Sequence, residues 1–331
     1  MSELRARAPG RVNLIGDHTD YTGGLVLPMA IDLSTVVTGT RGGDQVVLSS
    51  DHEDAPVVIA LDISDPAQVE PAWGRYAAGV IAQMRPSVGL RGHVSSDVPV
   101  GAGLSSSAAL EVALALALGF EGTPLDLATL CQRAEQRATG VPCGIMDQLA
   151  SAAGVAGHAL RIDCTTLQVT PVPLPADVEV VVVHSGQARR LAGSEYATRR
   201  SQCEAAEAVI GPLRQATPSD AEGLRDPVLR KRARHVVTEN ARVDLFVAAL
   251  SAGRADDAGQ LMLASHASLR ADFEVSTDVL DSLVDDLRKT PGVFGARLTG
   301  AGFGGCVVAL AEPGAIRRGW VVKASPAASV Q

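Results

Sequence analysis

Aromatic residues are scarce. Two Trp, three Tyr and five Phe are all that 331 residues contain, too few for a platform on which bases or long glycans could stack. Lysine is scarcer still: Lys231, Lys289 and Lys323 are the complete set, and none precedes position 231. A Walker A loop requires Gly-Lys-Ser/Thr, and a protein-kinase fold requires an early lysine on a strand. Both are excluded. A nucleoside triphosphate bound by this chain must therefore be held by backbone amides, a helix N-terminus or arginines. The five cysteines (Cys131, Cys143, Cys164, Cys203, Cys306) are odd in number and form no CxxC. They predict reduced, mostly packed thiols and give no support to a zinc site. Long apolar runs are missing too. Val112–Phe120 is the nearest candidate, far below the roughly 18 residues of a membrane span. The opening MSELRARAPGRVNLIGDHTD shows neither an apolar h-region nor a small-residue cleavage site. These features predict a cytoplasmic protein without membrane attachment.

What is present describes a globular enzyme-sized chain. Apolar residues are 46% and charged residues 20%, a balance of folded rather than disordered chains. The length suits one large or two ordinary domains. Acidic residues outnumber basic ones, 37 to 29, for a net charge of −8. That argues against a nucleic-acid partner, which needs a clustered basic surface. A small anion held locally remains compatible with it.

Residues 24–39 are β-branched and apolar and predict one or two strands, with further strands over Gln45–Ser49, Val57–Leu61 and Gly92–Ser96. Helical spacing covers Trp73–Met84, Leu104–Leu118 and Leu125–Thr139. Leu160–Asp163 reads as a strand, Pro171–Pro175 as a turn-rich connection, and Val178–His184 as a continuous apolar strand of the buried kind. Helices are predicted over Ser194–Ile210, Arg230–Ala252 with room for a break, Ala255–Leu269 and Asp278–Arg288. Strands at Ala296–Leu298 and Cys306–Ala309 flank a glycine loop. Strands and helices mix in both halves. The class is α/β or α+β in two lobes, with a boundary near 165–177.

Three glycine-marked segments carry the chemistry. In Pro9–Pro28, Arg11, Asn13, Asp17, His18 and Asp20 interrupt a strand-like background. The pattern suits a solvated turn between strands; it equally suits recognition of vicinal hydroxyls, since carboxylates accept from sugar OH groups and His donates or accepts. In Pro99–Glu111, PVGAGLSSSAALE, glycines and serines run straight into a helix. Glycine lets backbone approach an anion, and the helix end supplies free N–H groups and a positive dipole. Leu298–Cys306, LTGAGFGGC, is either a tight hairpin or backbone that packs against a phosphate site or closes it. Between them, Asp147 opens a small-residue helix after a Gly-Val-Pro-Cys-Gly turn. It is either a helix-capping residue, contributing about 1 kcal/mol, or a carboxylate aimed at a substrate hydroxyl.

Taken in order, GRVNLIGDHTDYTGG, PVGAGLSSSAALEVA and LTGAGFGGC resemble the three motifs of the galactokinases, within the GHMP small-molecule kinase superfamily. The likeness continues through PAWGRYAAGVI, CGIMDQ, IDC, SEYATRRSQCE, RARHVVTEN and LMLASHASLRADFEVSTDVLD, so it covers nearly the whole chain. The resemblance implies an α+β, two-lobed fold. The N-terminal lobe (1–170) would be like the second domain of ribosomal protein S5 and hold the signature, phosphate loop and catalytic aspartate. The C-terminal lobe (171–331) would be ferredoxin-like and hold the third motif, with the active site in the cleft between. It implies ATP- and Mg²⁺-dependent phosphorylation of the C1 hydroxyl of α-D-galactose, giving galactose 1-phosphate and ADP in the Leloir pathway.

By the same resemblance, Asp147 matches the catalytic aspartate and Arg11 its partner. Arg11 would keep that carboxylate ionised and help neutralise the transferring phosphoryl group. Asp17, His18, Asp20, Tyr196 and the Gly144 backbone match sugar-contacting positions. Gly101, Ala102, Gly103, Leu104, Ser105, Ser106 and Ser107 match the phosphate cradle, Trp73 the adenine wall, and Ser106 with Glu135 the Mg²⁺ ligands; an exposed helix charge for Glu135 and a core role for Trp73 stay open. His266 is expected to support the cleft. The partners implied are galactose, or a close monosaccharide, and ATP–Mg²⁺. A monomer is expected, with a homodimer as the alternative.

Two departures bear on function. Asp17 stands where the signature usually has Glu, which sets the carboxylate about one methylene back from the sugar and keeps related sugar 1-kinases in view, acting on arabinose, N-acetylgalactosamine or a C6-modified galactose. After Leu310, AEPGAIRRG leaves little room for the usual helix, which predicts an abbreviated C-terminal lobe. A non-catalytic galactose and ATP sensor would lack part of the Ser-Ser-Ser-Ala segment, whereas Ser105–Ala109 and Asp147 are all present.

Overall fold

The computed structural model describes residues 3–187 and 192–331. In chain order the first half contains β1 (Leu4–Asn13), β2 (Leu25–Val26), β3 (Pro28–Arg41), β4 (Gln45–Ser50), β5 (Glu53–Ala60), α1 (Gly74–Met84), β6 (Leu90–Ser96), α2 (Ser106–Ala117), α3 (Pro124–Thr139), α4 (Met146–Ala153), β7 (His158–Asp163) and β8 (Gln168–Pro173). The second half contains β9 (Glu179–His184), α5 (Ala192–Ile210), α6 (Pro218–Gly223), α7 (Pro227–Ser251), α8 (Ala255–Ala271), α9 (Asp278–Arg288), β10 (Val293–Leu298), β11 (Cys306–Ala311), β12 (Trp320–Val322) and β13 (Ser329–Val330).

A six-stranded sheet runs in the order β13-β1-β3-β6-β4-β5. The β4–β6 pair is parallel and the other pairs in it are antiparallel. The α2 helix is Ala/Leu-rich and buried along most of its length, including Ala108, Ala109, Val112 and Leu114. Small side chains let it lie close to β1 and β3. The α3 helix starts where its sequence says it should: Thr123 and Asp126 form a reciprocal capping box and Pro124 occupies the first turn.

The β2-β7-β8 sheet corrects one expectation. Residues Pro171–Pro175 read as a connection, yet β8 extends to Pro173 and pairs along β7 from His158↔Pro173 to Asp163↔Gln168. Proline lacks the N–H of an interior ladder, and β8 lies at the sheet edge where that loss is tolerated.

The C-terminal sheet, β10-β11-β9-β12, is antiparallel throughout. The apolar run at β9 is buried because both of its faces are covered. Val180 and Val182 join a core that reaches Val12, Leu14 and Met29, while Val181 and Val183 join the core under α5, α7 and α9. The α7 helix is continuous over 25 residues, with Asp226 capping its start; the break allowed for in the sequence does not occur. Residues 312–319 join β11 to β12 without a helix. Beyond β12 the chain crosses back: Ala324 bridges Ile31, and β13 pairs with β1. Strand β1 leads directly into the polar loop 14–24, to which Arg297 and Gly300, at and just after the end of β10, bond at Leu14 and Asp17.

Candidate active site

Two cavities meet between the sheets. One, of about 350 Å³, is lined by the signature loop (Asp17, His18, Asp20), by Gly144 and Tyr196, and by Gly300 and Ala301. The other, of about 440 Å³, is lined by Trp73, Gly101, Gly103 and Ser105–Ser107. Arg11, Tyr76, Glu135 and Asp147 line both and so stand at the junction. Both volumes suit small-molecule ligands.

Asp147 lies in the first turn of α4. Arg11, on β1, grips it with two parallel hydrogen bonds: Nε to Oδ1 at 2.7 Å and Nη2 to Oδ2 at 2.6 Å. Arg11 Nη1 donates to Gly103 O at 2.6 Å, and the Arg11 amide donates to Leu104 O. One arginine thus ties the carboxylate to the glycine loop. Ser105 adds a third donor, its hydroxyl 2.5 Å from Asp147 Oδ2. Ser105 sits at the start of α2 with φ 60° and ψ 49°, a left-handed conformation unusual for serine. Asp147 Oδ2 is doubly engaged, whereas Oδ1 meets Arg11 alone and keeps capacity to accept a substrate hydroxyl.

In the glycine loop, Gly101 and Gly103 have φ of 74° and 85°. A Cβ on Gly101 would project into open space, so the requirement for glycine there is conformational. Ala102 and Leu104 turn their side chains into the core and contribute backbone alone. Trp73 both lines the second cavity and packs against the N-terminal core.

Glu135 is not an exposed helix charge. Its carboxylate accepts from Ser107 at 3.1 Å and from Gln148 Nε2 at 2.5 Å, and the same amide reaches the buried Glu111 at 3.3 Å. Burial and the Asp147 charge push the Glu135 carboxyl up to about 7. Ser107, rather than Ser106, touches Glu135; Ser106 lines the cavity. Hydroxyls and carboxylates are the hard oxygen donors that Mg²⁺ requires, and a cation would relieve the crowding of Glu111, Glu135 and Asp147. Among the described residues no three His, Cys, Asp or Glu side chains are grouped to hold a metal by themselves, so Glu135 and a serine hydroxyl could supply only part of the ion's coordination.

The signature loop is held from the opposite side. Glu239 accepts from Gly16 N and from Ser265, and Asn240 accepts from Leu25 N. His235 Nε2 lies 3.1 Å from Asp17 O. Asp17 is buried, with Oδ1 accepting from Gly300 N at 2.9 Å and Oδ2 paired with Arg297. His18 contacts Ala301 O through Nε2 at 3.2 Å and Tyr21 Oη through Nδ1 at 3.0 Å. A carbonyl only accepts, so Nε2 carries the proton and Nδ1 accepts from Tyr21. Burial and the nearby His235 push the His18 imidazole down to about 3; the ring is neutral. The ring lies tilted against Tyr196 and Phe273, with centroids 5.7 and 4.7 Å apart. Asp20 presses on Gly144, where a Cβ would come 1.7 Å from Oδ2. Burial and Asp147 push the Asp20 carboxyl up to about 7.

The structure brings the anticipated residues to the two cavities except Ala102 and Leu104, which line neither, and the third glycine motif has a different place. Gly300 and Ala301 line the signature-side cavity and bind Asp17 and His18; they do not line the phosphate-loop cavity. Tyr76, Glu239, His235, Gln148 and Arg297 escaped the sequence reading. A buried polar residue inside a helical or strand pattern was the available signal. His266 is a support, accepting from Leu298 N and facing Asp281.

With this geometry in place, the comparisons with known proteins decide the family. The galactokinase galactose-binding signature matches residues 2–41, the GHMP kinases N terminal domain 75–155, and the GHMP kinases C terminal domain 246–320. The chain is 46% identical to a galactokinase of Chloroflexus aurantiacus over 328 residues, covering 92% of this chain and 83% of that one. The chain belongs to the galactokinase family. A human galactokinase is 44% identical over 95% of this chain and 85% of its own. The crystal structure of Lactococcus lactis galactokinase complexed with galactose superposes with a TM-score of 0.91 at 31% identity, covering 99% of this chain and 95% of that one. A Methanococcus jannaschii mevalonate kinase, at 20% identity and a TM-score of 0.67, shares the fold. As a galactokinase-family member the chain is an enzyme with the α+β architecture of GHMP kinases.

Proposed function

We propose that this protein transfers the γ-phosphoryl group of ATP to the C1 hydroxyl of α-D-galactose, with Asp147 aligning that hydroxyl. The observation that carries the reading is the position of Asp147 and Arg11 at the junction of two cavities, one walled by the signature loop and the other by the glycine loop. Galactose takes the first, contacting Asp17, His18, Asp20, Tyr196 and the Gly144 backbone. ATP takes the second, its phosphates on the Gly101–Ser107 backbone and the N-terminus of α2, with Trp73 beside the adenine. Lobes at 1–170 and 171–331 flank the cleft, the last residues returning to the first sheet.

Phosphoryl transfer passes through a loose transition state that asks little covalent help of the protein. Alignment and charge neutralisation supply most of the catalysis. The free acceptor capacity of Asp147 Oδ1 suits alignment. Asp147, held in one orientation by Arg11, aligns the hydroxyl and receives its proton as the new P–O bond forms. Glu135, with Ser106 or Ser107, would hold Mg²⁺, which when bound neutralises charge on the β- and γ-phosphates. No helix among the described residues is long and apolar enough to cross a membrane. Cys131, Cys143, Cys164 and Cys203 are free thiols, which suits a reducing, cytoplasmic setting.

A coupled ADP-release assay over galactose, arabinose, N-acetylgalactosamine and C6-modified galactoses tests the reading. Galactose is expected to be the preferred acceptor. Turnover of another sugar with none of galactose overturns it, and binding of both ligands without turnover indicates a sensor.

A further inference from the structure

We infer that Arg297 is a positioning residue for sugar specificity, acting through Asp17; the inference rests on the sugar reading of the first cavity. Arg297 is the penultimate residue of β10 and has no exposed surface. A guanidinium cannot shed its proton, so a buried one requires partners. Its Nη1 donates to Leu14 O at 3.1 Å, which anchors it to the start of the signature loop. Its Nη2 lies 2.5 Å from Asp17 Oδ2. The other carboxylate oxygen of Asp17 accepts from Gly300 N.

The carboxylate that lines the sugar cavity is therefore drawn back into its wall by β10 and the loop that follows it. Both groups come from the far end of the chain, more than 280 residues from Asp17 in sequence for Gly300. Aspartate also holds its charge one methylene nearer the backbone than glutamate does. The two effects act in the same direction and produce a recessed, fixed acceptor. Oδ2 is buried against Arg297, which leaves Oδ1 as the oxygen with capacity to accept from one substrate hydroxyl. Burial raises the Asp17 carboxyl, and the Arg297 charge opposes that rise. Without Arg297 the carboxylate loses both its orientation and the cation that makes its ionised form tolerable. Arg297, which lines neither cavity, thereby decides how tightly one particular hydroxyl of the sugar is read.

The test measures KM and kcat for galactose and its 2-, 3-, 4- and 6-deoxy forms with the wild type, Arg297→Gln, Arg297→Lys and the Asp17→Asn/Arg297→Gln double variant. Wild-type turnover of galactose checks the underlying reading separately. If another sugar is the substrate, that reading fails and the deoxy series of that sugar tests Arg297. Arg297→Gln is expected to raise the galactose KM about tenfold, the worth of one charge-assisted hydrogen bond, with the ATP KM within about twofold. One deoxy analogue is expected to show the same KM in variant and wild type, because the hydroxyl that Asp17 reads is absent from it. Should Arg297→Gln not fold, the same pattern is read in the lysine variant, which keeps the buried cation but not the guanidinium's reach to both Leu14 O and Asp17; the double variant gives the KM reached when the Asp17 charge itself is lost. An unchanged galactose KM in a folded variant, an equal rise for every analogue, or a parallel rise for sugar and ATP overturns the inference.

Discussion

Arg11 and Asp147, 136 positions apart in the chain, face each other as a fork on a fork, Nε and Nη2 on Oδ1 and Oδ2 at 2.7 and 2.6 Å. Such pairs fix orientation as well as charge. Asp147→Asn keeps the shape but offers one acceptor fewer. Its kcat is expected to fall by about 10²–10⁴, with sugar affinity by calorimetry within a few-fold of wild type. Near-normal kcat would remove Asp147 from the chemistry.

Gly144 is glycine because Asp20 leaves no room for a side chain. In Gly144→Ala the new Cβ would stand 1.7 Å from Asp20 Oδ2. The short carboxylate can swing away, so the fold survives, but it then leaves the sugar. The galactose KM is expected to rise at least about tenfold, the worth of a hydrogen bond to a charged group, with the ATP KM and Tm little changed. Steady-state kinetics against each substrate, with a thermal melt, checks this.

Asp20, pushed up to about 7 by burial and Asp147, should make sugar binding pH-dependent. Sugar hydroxyls donate to the carboxylate, so binding favours the ionised form and releases a proton. The galactose KM is expected to fall from about pH 6 to about pH 8, with Asp20→Asn flattening the profile. Calorimetry in buffers of different ionisation enthalpy reads the released proton directly. In the unliganded protein the sign is opposite: between 3.8 and about 7 the folded state holds a proton that the unfolded chain has lost, so this group's contribution to stability falls as pH rises.

Glu239 behaves in the reverse manner. Burial alone would raise its carboxyl, but Arg242, His235, Arg297 and the Ser265 hydroxyl outweigh it and hold the group down to about 2. The stability this supplies is present above 4.5 and is lost as pH falls from 4.5 towards about 2. Glu239→Gln should have a lower Tm near neutrality and lose less of it on acidification. Because Glu239 accepts from Gly16 N, the variant should also raise the sugar KM.

Ser105 separates backbone from side chain. Its φ of 60° and ψ of 49° cost on the order of 1 kcal/mol for a non-glycine residue, which Ser105→Gly relieves and Ser105→Ala does not. Both remove the hydroxyl from Asp147 Oδ2. The glycine variant is expected to melt at or above the alanine variant, with kcat reduced by a similar factor in both. A kcat restored by glycine alone would assign the role of Ser105 to its backbone.

Much of this arrangement was legible because it is local in sequence. Helical spacing marked α1 and α3, and the Gly/Ser run before α2 marked a loop whose backbone could approach an anion. His18 and Asp20 share a single turn. What was not legible depends on distant pairing. Nothing in RARHVVTEN distinguishes His235 and Glu239, which support the signature loop, from any other buried polar residues of α7. The third glycine motif could be read as backbone that approaches a ligand, but not which cavity it borders. Pro171 and Pro173 argued against a strand until β8 proved to lie at an edge.

The sequence alone determined the chemistry available. With no lysine before Lys231, a bound phosphate would have to be met by glycine backbone, a helix end or arginine. It also supplied the residues that a sugar and a metal would need. Tertiary structure decided which of them are partners. Arg11 reaches Asp147 only because β1 runs beneath α4 and the glycine loop. Asp17 is recessed only because β10 brings Arg297 behind it. Charges buried in a low dielectric must be paired, and which charges become buried together is a property of the packed sheets, which one-dimensional spacing does not encode.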